Sequence, residues 1–321
     1  MSGKNQNVLY YRPKWKGRKV VRHFVAALAI GTASLSLGYI YRPTDQGWTR
    51  KTVVTTQRSD HRREQFVLAV TVFLTSGSTW TVPGDFVSLV SVECIGGGSS
   101  GNAASTANRG HGAGGAYAKI TATSTTLTPG VTSINIGVGV GGASVVAGNA
   151  TGNAGGDTWW NATSAANAAT LTSAVACAAK GATAPTLGVG GVGGATALST
   201  GTTKFAGGNG FAGGVGGGGG AAGPSGAGGA GTATQGGSAN NGTTAGPTTN
   251  AAGNSGTEFT DGVTTKGCGT GANQITAGIG MIGGLYGGGG SGGSSVAVSG
   301  SGANGLLVIT YVDALMPQIW L

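Results

Sequence analysis

The sequence predicts a mainly β protein: a small β-sandwich with a long glycine-rich insertion, preceded by an extended basic amino-terminal arm. Three observations predict it. Glycine fills 69 of 321 positions without a strict G-X-Y period, which sets collagen aside. The chain is 39% hydrophobic and only 8% charged, the reverse of the balance that keeps a chain disordered. Strand-like runs bracket the glycine tract, at Phe66–Leu74, Trp80–Pro83 and Phe86–Ile95 before it and at Leu306–Val312 after it. The chain divides accordingly into an arm (residues 1–65), a glycine-rich β-domain (66–312) and a short tail (313–321).

The arm differs from the body in charge. Residues 1–66 hold 13 Lys and Arg against 3 Asp and Glu, whereas residues 67–321 hold 5 against 6. A basic arm suits an acidic partner protein, an anionic membrane surface or nucleic acid. Nucleic acid is not expected, because no zinc-finger spacing, heptad zipper or RNP-like string accompanies the charge. Lys14, Lys16, Arg18, Lys19 and Arg22 are the attachment candidates. They precede the apolar stretch Phe24–Ile40, whose 17 residues sit at the lower edge of a membrane span and include Gly31, Thr32, Ser34, Ser36 and Gly38. A signal or anchor is one reading. The other is a short helix over Phe24–Ile30, then a strand in which Leu35, Leu37, Tyr39 and Tyr41 alternate with Ser36, Gly38 and Ile40. Turn residues Arg42–Gly47 and a partner strand over Trp48–Thr56 would follow.

In the body, Val90, Val92 and Cys94 alternate with Ser91 and Glu93, as in a strand with one buried face. The glycine tract opens at Gly96-Gly97-Gly98 and runs to about Gly305. In order, the chain reads FLTSGSTWTVP (73–83), VSLVSVECIGGGSSG (87–101), HGAGGAYAKITATSTTLTPGVTSINIGVGVGG (111–142), NAGGDTWW (153–160) and, after more glycine, GANGLLVITYV (302–312). This series over about residues 72–312 resembles the glycine-rich domain of bacteriophage tail fibres and minor tail proteins. The resemblance implies a sandwich strand pair before the tract, a glycine-preceded AYA strand and a TPG turn after its start, and a closing VITY strand. It implies nothing about residues 1–65 or 313–321.

Extended glycine segments such as Gly213–Gly220, Gly226–Gly231 and Gly287–Gly293 can follow a polyglycine-II-like path, packing side by side where no larger residue fits. Ordering them costs roughly 1–2 kcal/mol of backbone entropy per residue, so they hold only as a mutually hydrogen-bonded array. A flexible linker is the alternative. Val189, Val192, Phe205, Phe211, Val215, Ile279, Ile282, Leu285 and Tyr286, scattered through the tract, favour order.

No enzyme is expected. Two strings fit G-x-G-x-x-G, at Gly137/Gly139/Gly142 and Gly188/Gly190/Gly193, but so glycine-dense a tract produces such strings by chance and no amphipathic helix follows either. Glu258 and Asp261 would form a dyad or a calcium ligand set only inside a motif that is missing, so they are expected to be solvated loop residues. His111, near Arg109, is expected as a surface contact. Cys94, Cys177 and Cys268 lack metal or disulfide spacing and suit small buried hydrophobes. No metal and no cofactor are expected.

The expected function is therefore structural and adhesive. The resemblance implies a virion protein, a tail-fibre or tail-tip component that attaches to other virion proteins through its arm and to a host-surface receptor or glycan through its body, as a homo-oligomer. A capsid-attached head fibre or decoration protein, and a bacterial surface adhesin anchored at Phe24–Ile40, are the alternatives. Trp159, Trp160, Phe205, Phe211 and Tyr286 are the receptor-contact candidates, with a place in the sandwich core as the competing role for the two tryptophans.

Overall fold

The computed structural model describes residues 26–30, 33–44, 47–57, 67–105, 108–161 and 175–314. Lys14, Lys16, Arg18, Lys19 and Arg22 lie outside the described residues. The strands before the glycine tract are β1 (Ala26–Ile30), β2 (Ala33–Thr44), β3 (Gly47–Gln57), β4 (Val67–Leu74), β5 (Thr79–Thr81) and β6 (Phe86–Ile95). Within the tract run β7 (Ala103–Ala104), β8 (Tyr117–Ile120), β9 (Ser133–Gly137), β10 (Thr158–Asn161), β11 (Ala176–Ala179) and β12 (Thr203–Phe205). Two-residue strands follow, β13 (Gly216–Gly217), β14 (Phe259–Thr260), β15 (Thr265–Lys266), β16 (Asn273–Gln274) and β17 (Gly293–Ser294), before the closing β18 (Leu306–Ala314).

The protein is mainly β. Eight strands form one antiparallel sheet in the order β1-β2-β3-β4-β18-β6-β8-β12, and a second has the order β11-β10-β9-β5. The two sheets pack face to face. Val92 and Cys94 of β6 and Leu307, Ile309 and Tyr311 of β18 meet Trp80, Ile134, Ile136, Trp160 and Cys177 from the smaller sheet. The alternate residues of β18, Leu306 and Val308, point the other way, into a second core with Ile95, Tyr117, Ala221, Ala222, Phe259, Cys268 and Tyr286. Because β18 is covered on both faces, its sequence is a continuous apolar run rather than an alternating one. All three cysteines are buried and unpaired, in line with their expected role.

Several sequence expectations shift by a few residues. Val92 and Cys94 of β6 face the sandwich core as expected, but Ser91 and Glu93 on the opposite face are buried as well, and Val90 is exposed. The pairing explains it: Thr310 faces Ser91 and Tyr311 faces Leu89, so Val90 is the extra residue of a bulge. The closing strand runs two residues into the expected tail, with Asp313 and Ala314 paired to Leu68 and Val67. In the expected arm, Ala26–Ile30 forms strand β1 rather than a helix, because Ile30 through Ala26 pair with Ala33 through Leu37 of β2. The expected hairpin of β2 and β3 is present with a tighter turn, since Arg42, Pro43 and Thr44 pair with Thr49, Trp48 and Gly47, and it joins the domain sheet through Thr52–Ala69 and Val53–Leu68. Among the described residues no helix is long and apolar enough to cross a membrane.

The glycine tract is an ordered lattice of extended segments. Gly96, Ser99 and Asn102 donate their amides to the carbonyls of Ala116, Ala113 and Gly110. Gly97, Ser100 and Ala103 donate to Gly156, Asn153 and Ala150, and Gly98 and Gly101 donate to Ala303 and Gly300. The period is three, with each residue of a triplet addressing a different neighbour, as a polyproline-II-type helix with three residues per turn requires. Partner numbers fall as donor numbers rise, so these neighbours are antiparallel. Gly219 and Ala222, by contrast, donate to Gly112 and Gly115, a parallel pair in the same lattice. Packing at this distance excludes side chains at the crossings. A Cβ on Gly114 would collide with the carbonyl of Gly220, and one on Gly207 with the carbonyl of Gly114.

We therefore expect Gly114→Ala to lower the unfolding free energy by about 3 kcal/mol or more, because a rigid backbone carbonyl must move. Gly278→Ala, where nothing lies within 4 Å of the added methyl, should stay within about 1 kcal/mol of the parent. Chemical denaturation of the two variants checks the contrast; equal losses would show that close approach does not govern the lattice.

Candidate functional site

The lattice segments leave the sandwich, turn and come back. Near the sandwich, the turns are those closed by Gly223 with Gly226 and by Ala239 with Thr244. At the far end, turns are closed by Thr186 with Val189 and by Thr232 with Gln235, while the Asn250 side chain accepts the amides of Ile275 and Thr276 and the Ser294 amide donates to the Gly278 carbonyl, each bond joining one turn to another. These far turns are stitched to each other. The Ser299 amide donates to the Val145 carbonyl and its hydroxyl accepts from the Val145 amide, while the Gly280 amide donates to Val298.

Among the described residues, the far-end turns carry no formal charge. The stretches 143–149, 186–189, 212–215, 232–235, 248–250, 275–279 and 294–298 contain no Asp, Glu, Lys, Arg or His. Aliphatic tips stand out of them among Asn, Ser and Thr: Val146 is 73% exposed, Ile279 61% and Val296 87%. Single exposed aliphatics are ordinary on a protein surface; these three stand on turns that hydrogen bonds tie together. The face these turns form is the candidate site. Sequence reasoning missed it, because the turns gather only through the lattice pairings.

The aromatic candidates are distributed elsewhere. Trp159 and Trp160 lie in strand β10. Trp160, opposite Ile136 and Cys177, is fully buried in the sandwich, which corrects its assignment as a receptor contact and gives it the core role. Trp159 points to the other face of that strand and is half-buried, over Gly137. Phe205 is half-buried and stacks on Tyr117 with ring centroids 6.2 Å apart. Tyr286 is also corrected: it is buried in the second core, and its hydroxyl accepts from Lys266 Nζ at 3.0 Å. Phe211, half-buried, lies against the far-end turns.

The titratable candidates have structural partners. Glu258 is no solvated loop residue: one carboxylate oxygen accepts from Asn240 Nδ2 at 3.1 Å and Thr243 Oγ1 at 3.3 Å, the other from the Cys268 amide at 2.9 Å. Asp261 receives the amides of Val263 and Thr264 at 2.8 and 2.7 Å, a local turn. Glu93, buried in β6, accepts from Tyr117 and Ser91 and pairs with Lys119 at 3.1 Å. Burial, then the neighbouring Glu93 charge, pushes the Tyr117 phenol well up. Among the described residues, no three His, Cys, Asp or Glu gather in a way that could hold a metal ion.

His111 departs most from expectation. It is fully buried, not a surface contact, because its segment lies within the lattice. Its Nδ1 accepts the Gly292 amide at 3.0 Å, and its ring lies 6.1 Å from that of Phe211. Burial is the main cause that pushes its pKa down to about 4; the nearby Gly214 carbonyl opposes the shift and the Arg109 charge adds to it.

A family model described as a glycine-rich domain matches residues 73–312 of the chain. No curated protein matches it.

The depressed His111 pKa links stability to pH. The unfolded imidazole titrates near 6.5 and the folded one near 4, so the stabilisation is complete above pH 6.5 and is lost as pH falls to about 4. One pKa unit is worth about 1.4 kcal/mol, which makes the loss roughly 3 kcal/mol over that window. Denaturation midpoints followed from pH 7 to 4 should show this slope in the parent. His111→Asn, which keeps an acceptor for Gly292, should lack it.

Proposed function

We propose, for a chain that belongs to the glycine-rich domain family, a non-catalytic role as a virion structural protein of a bacteriophage tail fibre or tail tip that presents its far-end turns to the host surface. The observation that carries this reading is the charge-free, aliphatic-tipped face built on backbone hydrogen bonds. A scaffold held by its own amides and carbonyls leaves the turn residues free to vary, and loops over a fixed scaffold are where contact surfaces arise. An uncharged Asn, Ser and Thr surface with apolar tips suits a glycan or a neutral protein receptor rather than a phosphate-rich polymer. The sequence resemblance to phage tail proteins supports the virion setting. Weak contacts of this kind gain strength through several copies engaging together. The opposite end, where β1–β3 extend the main sheet, is the side for attachment to other virion proteins.

The triple substitution Val146→Asp, Ile279→Asp and Val296→Asp tests it. All three positions are exposed, so thermal unfolding and incorporation into particles should hold, while adsorption to host cells should fall at least about tenfold, the equivalent of some 1.4 kcal/mol of contact energy. Unchanged adsorption would remove this face from the attachment reading. Immuno-gold label at the tail tip is the expected placement. Label on the head would favour a decoration protein, and absence from particles with recovery in host membranes would favour an anchored adhesin.

A further inference from the structure

We propose that Arg109 and His111 form a binding site for a small inorganic anion of halide size, enclosed in the far end of the lattice. The inference does not depend on the reading of the far-end face as a host contact.

Arg109 keeps its charge in any protein setting, and here its side chain is completely withdrawn from solvent. Its Nε and Nη1 donate to no acceptor. Among the described residues the ion pairs are Lys119–Glu93 and Lys180–Asp157, and no carboxylate reaches Arg109. His111 lies beside the same peptide: Gly292 donates to His111 Nδ1, and a methyl on Gly292 would come within 2.5 Å of Arg109 Cγ. With Nδ1 accepting, the neutral imidazole carries its proton on Nε2. That atom too is buried and meets no acceptor in full hydrogen-bond geometry, although the Gly214 carbonyl lies close enough to favour the protonated ring.

The unpartnered atoms are therefore Arg109 Nε, Arg109 Nη1 and His111 Nε2, and every one is an N–H donor. A donor-only set selects an acceptor. An uncompensated buried charge is far more costly than an unpaired neutral group, so the acceptor that satisfies the set best is negative. Size follows from enclosure: Gly292 and the Phe211 ring wall the two side chains, and neither is exposed. A sugar phosphate or a peptide carboxylate would have to open the lattice, which leaves a monatomic anion as the class proposed. The site differs from a surface anion site in that occupancy stabilises the fold itself.

The test uses the full chain and bromide as the probe. Crystals grown in sodium bromide should show an anomalous peak at the bromine edge within hydrogen-bond reach of Arg109 Nε or Nη1 and His111 Nε2. At constant ionic strength, replacing gluconate by bromide should raise the melting temperature of the parent. Arg109→Met should abolish that dependence, and His111→Asn should weaken half-saturation about tenfold, as expected for one hydrogen bond to a charged group. An ordered Arg109 without an anomalous peak, or density there that does not scatter as bromide, would overturn the proposal in favour of water. An equal bromide effect in Arg109→Met would overturn it as well. If Arg109→Met does not fold, the crystallographic arm on the parent still decides.

Discussion

Everything in this domain depends on how closely two backbones can approach. In the lattice each residue sends its amide to one neighbour, the next residue sends its own to another, and the third to yet another. A sheet strand, with a period of two, addresses only two neighbours; the threefold path lets one segment be surrounded. Such crowding leaves no room for Cβ at the crossings, as at Gly114 and Gly207. The glycine content is thus a packing requirement, and the entropy lost in ordering those glycines is met by hydrogen bonds that no solvent competes for inside the array.

The sandwich supplies what the lattice lacks, a hydrophobic core. Strand β18 joins the two: its odd-numbered residues from Leu307 to Tyr311 face the tryptophans of the smaller sheet, while Leu306 and Val308 face Tyr286, Phe259 and the alanines of the lattice. Glu93 and Tyr117, bonded to each other, and Lys266, close over Phe73 and Tyr286, line the same border. The amino-terminal hairpin, set apart in sequence by its charge, is continuous with this sheet in structure because β4 offers it an unpaired edge.

Much of this architecture was legible in the chain. Alternation and β-branched runs located β4, β6 and β18, and the spread of apolar residues through the glycine tract pointed to order. The bulge at Val90 was not legible, since it arises from the register with Tyr311. Nor was β1, whose Ala-Ala-Leu-Ala-Ile stretch has helical propensity that pairing with β2 overrides. The candidate face was the least visible part. Aromatic residues among Asn and Thr suggest a contact surface, yet Trp160 and Tyr286 serve the two cores, and the exposed tips of the far-end turns are aliphatic. Arg109 and His111 did leave a signal: they are rare charged and titratable residues inside a tract almost free of both. Only the lattice pairings show that their segment runs inside.

The threefold period also bears on how such a domain can change over generations. At about 3.1 Å of rise per residue, three added residues lengthen a segment by one turn and return every glycine to its crossing. One or two added residues rotate the segment so that a side chain meets a neighbour's carbonyl. The outward segments thus have a reading frame of their own, in amino acids rather than nucleotides. Since parallel and antiparallel neighbours coexist in the array, a whole out-and-back pair can be gained or shed at its periphery without reversing any other chain. Diversity in reach and in turn sequence is then compatible with a sandwich that stays the same.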